Sequence, residues 1–107
     1  MAWLLRDGQV LASAEVAASR SERRRGLIGR ADLDGVFVLA ARSVHTLGVG
    51  FPIDVAFCGA DGTVLRIMTL RPNRISRWCA GAHTAVEAPA GAFREWGVVV
   101  GDRLEVR

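Results

Sequence analysis

Two Asp-Gly dipeptides constrain the fold of this chain more than any other feature. Asp7-Gly8 and Asp61-Gly62 each stand between two short runs of mainly apolar residues. Asp-Gly in this setting is a strong signal for a β-hairpin, because a tight hairpin turn places both of its central residues at positive φ. The sequence therefore predicts two antiparallel hairpins, one at the start of the chain and one after its midpoint.

A third turn is predicted at Gly101-Asp102, near the end of the chain. It separates the apolar residues 98–100 from residues 103–107, where apolar and charged side chains alternate. Alternation of this kind is typical of a strand with one buried face. We expect residues 98–100 and 103–107 to be two further short strands.

One helix is predicted within this strand-rich pattern, over about residues 20–28. Ser19 and Glu22 have the spacing of a capping box, in which the serine side chain caps the first turn. Gly29 is a suitable stop signal. Gly26 would then lie inside the helix, at a cost of about 1 kcal/mol relative to alanine. A further helical turn is expected at 92–96, before Gly97.

The fold class follows from these elements and from the composition. The chain has 107 residues, of which 50% are hydrophobic, enough for one domain over residues 1–107 with its own core. Seven or eight short strands and one short helix predict a mainly β fold. We expect the strands to close as a small barrel or sandwich.

The charge pattern limits the partners and the chemistry that we expect. The net charge is +3, and all fourteen basic residues are arginine. The lack of lysine excludes Schiff-base chemistry and a phosphate-loop lysine. Arginine in place of lysine, with abundant Ala, Gly and Val, is typical of codon bias in a GC-rich genome. The arginine count is therefore weak evidence for nucleic-acid binding, and we do not expect a nucleic acid as partner.

The sequence also indicates a cytoplasmic protein that does not enter a membrane. Its first apolar run is interrupted at Arg6, too early for a signal peptide, and no run approaches membrane-spanning length. Cys58 and Cys79 lack the spacing of a redox or zinc motif, so we expect two reduced cysteines that pack as small hydrophobic residues. The oligomeric state is left open between monomer and homodimer.

The segment from His45 to Phe57 combines a histidine and an aspartate with apolar residues. Strand alternation divides its second half into two faces. One face has Phe51, Ile53, Val55 and Phe57, and the other has Pro52, Asp54, Ala56 and Cys58. We interpret the first face as core, so that Asp54 would project away from it among small neighbours. Bends at Gly48 and Gly50 would allow His45 to approach Asp54.

Four motifs occur in a fixed order and carry a resemblance to a known family. They are Arg24-Arg-Gly-Leu-Ile-Gly-Arg30, Val44-His-Thr-Leu-Gly-Val-Gly-Phe-Pro-Ile-Asp54, Val86-Glu-Ala-Pro-Ala-Gly91 and Gly97-Val-Val-Val-Gly-Asp102. From about Val10 to its end the chain resembles the prokaryotic family called domain of unknown function 192. The resemblance implies a compact β-barrel or jelly-roll-like domain with one short helix, and no established activity. The arginine positions, Asp54, Glu87 and Gly101-Asp102 keep the family pattern. His45 departs from the family pattern, in which many members carry Trp-Met-Lys-Asn-Thr.

Our leading hypothesis is a non-catalytic domain that binds a small ligand, anionic groups included, or a protein partner at one end of the barrel. His45, Asp54 and Glu87 would line this site, and Arg24 or Arg25 would contact an anionic group. The histidines lack metal-ligand spacing, so we expect no metal and no cofactor.

Two alternatives remain open. Asp54 and Glu87 could form the acid–base pair of a hydrolase-like enzyme if they faced one cleft. The arginines of segments 20–30 and 71–77, with Trp78 as a stacking surface, could instead bind RNA or single-stranded DNA. Of these classes the binding domain is the one that we expect, so the sequence favours binding over catalysis.

Overall fold

The fold is described from a computed structural model that covers residues 2–107. Strands and short helices alternate along the chain. They are β1 (Ala2–Arg6), β2 (Gln9–Val16), α1 (Arg20–Arg25), β3 (Val36–Leu39), β4 (Ile53–Cys58), β5 (Val64–Leu70), β6 (Thr84–Pro89), α2 (Ala92–Trp96) and β7 (Leu104–Val106). The predicted mainly β fold is confirmed, and α2 is the further helical turn expected at 92–96.

All seven strands form one sheet in the order β5-β4-β6-β3-β2-β1-β7. Neighbouring strands are antiparallel except β2 and β3, which run parallel. A parallel pair needs a crossover connection, because the chain must return to the starting edge. Residues 17–35, which include α1, form that crossover.

The sheet curls into a half-barrel that stays open, so the expected closed barrel is wrong. Its two edge strands meet only at one end, where Thr63 and Arg103 form an isolated bridge. There the Val64 N–H donates to the Asp102 carbonyl at 2.8 Å. The strand β7 has only three residues and uses them to pair with β1. Within residues 2–107 no strand ladder joins β7 to β5.

The turns confirm the hairpin prediction in different ways. Asp7 and Gly8 both have positive φ, at 52° and 76°, as a two-residue hairpin turn requires. At the second hairpin only Gly62 does, at 87°, because the connection is longer. Residues 98–100 are not a strand, contrary to prediction. Val99 instead begins a turn that ends at Asp102, in which the Val99 N–H donates to Asp102 Oδ2 at 3.0 Å.

The helix α1 begins as predicted and ends earlier. Ser19 Oγ accepts from the Glu22 N–H at 3.1 Å, and Glu22 Oε2 accepts from the Ala18 N–H at 3.0 Å. The last helical residue is Arg25. Gly26 has φ 50°, outside the helical region, and its N–H donates to the Glu22 carbonyl. Gly26 therefore caps the helix, whereas we expected it inside.

The sheet buries both of its faces. An inner core includes residues from all seven strands, among them Leu4, Val38, Ala56, Val86 and Leu104. Only the concave face of a curled sheet can bring both edges into one cluster. An outer core covers the other face of β3, β4 and β6, where Phe37, Val55 and Phe57 pack against the connecting segments. Every residue of β4 is consequently buried, and the idea that Asp54 lies on a face free of core is wrong.

Candidate functional site

Glu87 is the most unusual polar residue of the outer core. It lies in β6, the strand between β4 and β3, directly opposite Val55 on one side and Phe37 on the other. Opposite residues of antiparallel strands share a face, so these two apolar side chains flank the carboxyl group. Glu87 is only 4% exposed. Burial disfavours the charged form and raises the pKa of its carboxyl to about 7.

A cavity of about 70 Å³ lies over Glu87, between the sheet and two covering segments. Its polar lining includes Arg23 and Arg25 from the first segment and Ser43 and His45 from the second. The rest of the lining is mainly apolar and includes Leu27, Leu39, Val44 and Val49. The cavity therefore combines one buried acid, two arginines and apolar walls.

The Glu87 carboxyl group is directed at this cavity. Among residues 2–107, no side chain or backbone group donates a hydrogen bond to it, and no arginine pairs with it. Every fully enclosed side-chain oxygen or nitrogen in this part of the chain has a hydrogen-bond partner. The Glu87 side-chain oxygens have none, so they are not fully enclosed, and solvent or a ligand reaches them through the cavity. A buried acceptor without a protein donor is costly unless another group satisfies it.

His45 is exposed and its ring is held in place locally. Its Nδ1 accepts a hydrogen bond from the Leu47 N–H at 3.1 Å, which leaves the ring proton of the neutral form on Nε2. The backbone of His45 forms an isolated bridge with Ile75. Ser43, in contrast, is occupied, because its Oγ donates to the Ser76 carbonyl at 2.9 Å.

Asp54 has a different role from Glu87. It is 5% exposed, and both of its carboxylate oxygens accept hydrogen bonds within the protein. Thr69 Oγ1 donates to Oδ1 at 2.7 Å, and the Gly91 N–H donates to Oδ2 at 2.9 Å. These contacts join β4, β5 and the start of α2. Asp54 is thus a structural anchor, and its hydrogen-bonding capacity is largely used.

The two carboxylates that sequence analysis paired lie on opposite faces of the sheet. Glu87 pairs in register with Val55, whereas Asp54 pairs with Ala88. Side chains alternate along a strand, so Glu87 shares the outer face with Val55 and Asp54 shares the inner face with Ala88. A single cleft therefore does not contain both groups, and the acid–base pair of the hydrolase-like alternative is not formed. His45 lines the cavity over Glu87 and does not line the groove beside Asp54.

Three of the five predicted ligand residues thus meet around one cavity, namely His45, Glu87 and Arg25. Arg24 is exposed and does not line this cavity. Sequence analysis missed Arg23 as a lining residue. The available signal was its place beside Arg24 and Arg25 in the same run of arginines.

Two larger openings belong to the inner face. One, of about 290 Å³, lies at one end of the half-barrel between Val38, Cys58, Val86 and Leu104. The other, of about 450 Å³, is a groove beside Asp54 and Phe93. Both are lined largely by apolar groups, and the carboxylate in the second is already hydrogen-bonded. Of these three openings within residues 2–107, the cavity over Glu87 is the one lined by a buried carboxyl group that accepts no hydrogen bond from the protein.

Neither a metal-binding cluster nor a membrane-spanning helix is found in residues 2–107. No group of three or more His, Cys, Asp and Glu side chains is placed to hold a metal ion. None of the helices in this part of the chain has the length and hydropathy needed to cross a membrane.

Comparisons with other proteins agree with the fold. The profile of the family DUF192, described as "Uncharacterized ACR", matches residues 2–106. A protein of unknown function from Novosphingobium aromaticivorans DSM 12444 has a similar crystal structure, with a TM-score of 0.81 and 17% identity over 97% of this chain and 82% of that one. A "putative transcription regulator" from Sinorhizobium meliloti 1021 has a TM-score of 0.80 and 27% identity, over 98% of this chain and 91% of that one. The search of curated proteins finds no match.

Proposed function

The chain belongs to the domain of unknown function 192 family, and we propose that it is a non-catalytic domain that binds a small ligand in the cavity over Glu87. One observation carries this proposal. Glu87 is a buried carboxyl group with no donor among residues 2–107, and it faces a cavity that Arg25 and His45 also line. Convergent polar groups in a largely apolar cavity are the usual signature of a ligand site.

The lining predicts the chemistry of the ligand. Glu87 requires a hydrogen-bond donor, and an amine is the strongest one. Arg23 and Arg25 suit a carboxylate or phosphate group. The cavity of about 70 Å³ exceeds the roughly 10–15 Å³ that a single water requires, so it accommodates a small polar group. We therefore propose a small zwitterion with an amine and an anionic group, of the size of a small amino acid.

The protonation of Glu87 supports reversible binding near neutral pH. With a pKa of about 7, the free protein holds a mixture of the neutral and the ionised form. An amine that pairs with the carboxylate favours the ionised form, so binding releases a proton. The affinity for an amine should accordingly rise with pH up to about 7 and then level off.

Binding is favoured over catalysis by the immediate surroundings of Glu87. The other carboxylate of the family motif, Asp54, projects from the opposite face of the sheet. The nearest hydroxyl nucleophile in the lining, Ser43, donates its proton to the Ser76 carbonyl. Neither arrangement resembles a nucleophile next to a base. We also propose a cytoplasmic location, supported by the two free, buried cysteines.

Thermal unfolding with a ligand panel tests the proposal. The panel includes small amino acids, the matching amines without a carboxylate, the matching carboxylates without an amine, and inorganic phosphate. We expect a small amino acid to raise the Tm of the wild type, with Glu87→Gln and Arg25→Gln abolishing the shift. Arg20→Gln is the matched control, because Arg20 is on the same helix and does not line the cavity. Equal shifts in wild type and Glu87→Gln would contradict the assignment of the site.

A further inference from the structure

Two segments of the chain carry arginines without a single acidic residue. Residues 35–53 and 62–86 contain neither Asp nor Glu. Their five arginines are Arg42, Arg66, Arg71, Arg74 and Arg77. The net charge of the whole chain is only +3, so the positive charge is concentrated in these segments.

The fold brings the two segments together. The Thr46 N–H donates to the Arg74 carbonyl at 2.8 Å, and the Cys79 N–H donates to the Arg42 carbonyl at 2.7 Å. Between these contacts His45 and Ile75 form a bridge. The loop 71–78 therefore lies along the segment 42–46. We call the exposed face formed by residues 42–46 and 71–78 the arginine surface.

The arginines of this surface are not neutralised. The four ion pairs found within residues 2–107 use other arginines, at positions 6, 30, 103 and 107. Two guanidinium groups of the surface donate to backbone carbonyls instead. Arg42 Nε donates to the Ala82 carbonyl at 3.1 Å, and Arg74 Nη1 to the Pro72 carbonyl at 3.3 Å. Each group keeps further N–H donors for an external anion.

Trp78 adds an aromatic ring to the same surface. It is 63% exposed, and the Arg42 guanidinium lies 5.7 Å from its ring centroid. Arg66 Nη1 also contacts the Trp78 carbonyl at 3.4 Å. One side of the ring is thus covered by a cation while most of the side chain faces solvent. Ile75, 67% exposed, extends the apolar part of the surface.

From this combination we propose that the arginine surface binds single-stranded nucleic acid. Guanidinium groups contact phosphates in a planar geometry, and a base stacks on the open face of Trp78. An acidic protein segment would supply negative charge, but its carboxylates would not stack on the Trp78 ring as a base does. An anionic bilayer would require a contiguous apolar tip, whereas Ile75 and Trp78 are separated by Arg77 along the loop. This proposal is independent of the cavity over Glu87.

The arrangement of the arginines is stronger evidence for a nucleic-acid partner than their number. The number follows from the composition of the chain, and by itself it gives no reason to expect a nucleic-acid partner. Composition does not explain why Arg42, Arg71, Arg74 and Arg77 lie on two adjoining segments that contain no carboxylate. Charge segregation of this kind is the electrostatic footprint of a polyanion-binding surface.

The test measures fluorescence anisotropy of a labelled twelve-nucleotide oligouridylate and oligothymidylate with the intact protein. Four phosphate contacts predict an affinity loss of about 50-fold between 50 and 200 mM salt. Trp78→Ala should weaken binding by roughly 5- to 160-fold through lost stacking. Arg74→Gln and Arg77→Gln should each reduce the salt slope by about 0.7.

Matched controls come from the other exposed tryptophan. Trp3 lies beside Arg107, whose guanidinium is paired with Glu105. Trp3→Ala and Arg107→Gln should bind the oligonucleotides like the wild type, and circular dichroism checks that all variants fold. Absence of wild-type binding at 50 mM salt, or unchanged binding by Trp78→Ala, would overturn the proposal. Equal competition by poly-aspartate would point to an acidic protein instead, and binding to phosphatidylserine vesicles without oligonucleotide binding would point to a membrane.

Discussion

Asp54 in β4 accepts a hydrogen bond from the backbone N–H of Gly91, 37 residues later, at 2.9 Å. Gly91 is the N-cap of α2, has φ 88° and has no side chain with which to cap the helix. The carboxylate thus supplies an acceptor at a helix start that lacks its own. The contact joins the centre of the sheet to the segment that follows β6.

Replacing Asp54 with alanine should therefore destabilise the fold without affecting a ligand in the Glu87 cavity. We expect a loss of about 2–3 kcal/mol in the free energy of unfolding, because two hydrogen bonds to a charged acceptor disappear. Urea unfolding measures it. In a double-mutant cycle Thr69→Ala should show coupling to Asp54→Ala, since Thr69 Oγ1 contacts the same carboxylate. Additive effects of the two substitutions would contradict this role.

Glu87→Gln should stabilise the protein at neutral pH and have little effect in acid. Below the ordinary pKa of 4.5, Glu87 is protonated in both the folded and the unfolded chain, so its burial has no ionisation cost. Between 4.5 and about 7 the unfolded chain ionises while the folded one retains the proton. The free energy of unfolding of the wild type therefore falls as pH rises through this window, by on the order of 3 kcal/mol.

The glutamine variant does not titrate at this position. Its stability advantage should grow from pH 4 to pH 7 and then remain constant, as measured by urea unfolding at several pH values. Glu95→Gln is the control, because Glu95 is exposed on α2. A stability difference that does not vary with pH would show that the Glu87 carboxyl is not perturbed.

Gly26→Ala should destabilise the end of α1 through backbone strain alone. Gly26 has φ 50°, and an added Cβ would meet only the Arg23 carbonyl, at 3.7 Å. We expect a loss of roughly 1–3 kcal/mol in the free energy of unfolding. Gly50→Ala is the matched control, since Gly50 has no positive φ and no atom within 4 Å of the added carbon. That variant should be neutral or slightly more stable.

Cys58 should resist alkylation in the folded protein. It is buried in the inner core, and burial is the main cause that raises the pKa of its thiol to about 11. The reactive thiolate is therefore scarce at pH 8 and also shielded. Iodoacetamide pulses followed by peptide mass spectrometry should show modification of Cys58 only after unfolding in urea. Rapid labelling of the native protein would contradict its burial.

Features determined by a few neighbouring residues could be predicted from the sequence. The hairpin at Asp7-Gly8 forms because both residues adopt the positive φ that the turn needs. The cap at Ser19 forms because its hydroxyl reaches the Glu22 N–H. The end of α1 could not be predicted in the same way. A glycine inside a helical pattern is compatible with a continuing helix or with a C-cap. The structure has the C-cap at Gly26, and the next residue, Leu27, is buried in the outer core.

The candidate site could be predicted only in part, because its residues come from three separate segments. Sequence analysis identified His45, Glu87 and Arg25, and the structure places all three at one cavity. It also paired Asp54 with Glu87, which was wrong. Alternation shows which residues of one strand share a face, and it does not give the register between two strands.

The sequence by itself determined the strand-rich composition, the tight turn at Asp7-Gly8 and the start of α1, because these depend on residues that are adjacent in the chain. Only the tertiary structure decided that the sheet stays open and that β4 is covered on both faces. It also placed Asp54 and Glu87 on opposite faces of the sheet and joined the arginine-bearing segments 42–46 and 71–78. These features depend on contacts between segments that are distant in sequence, and burial and charge balance arise only once those contacts form.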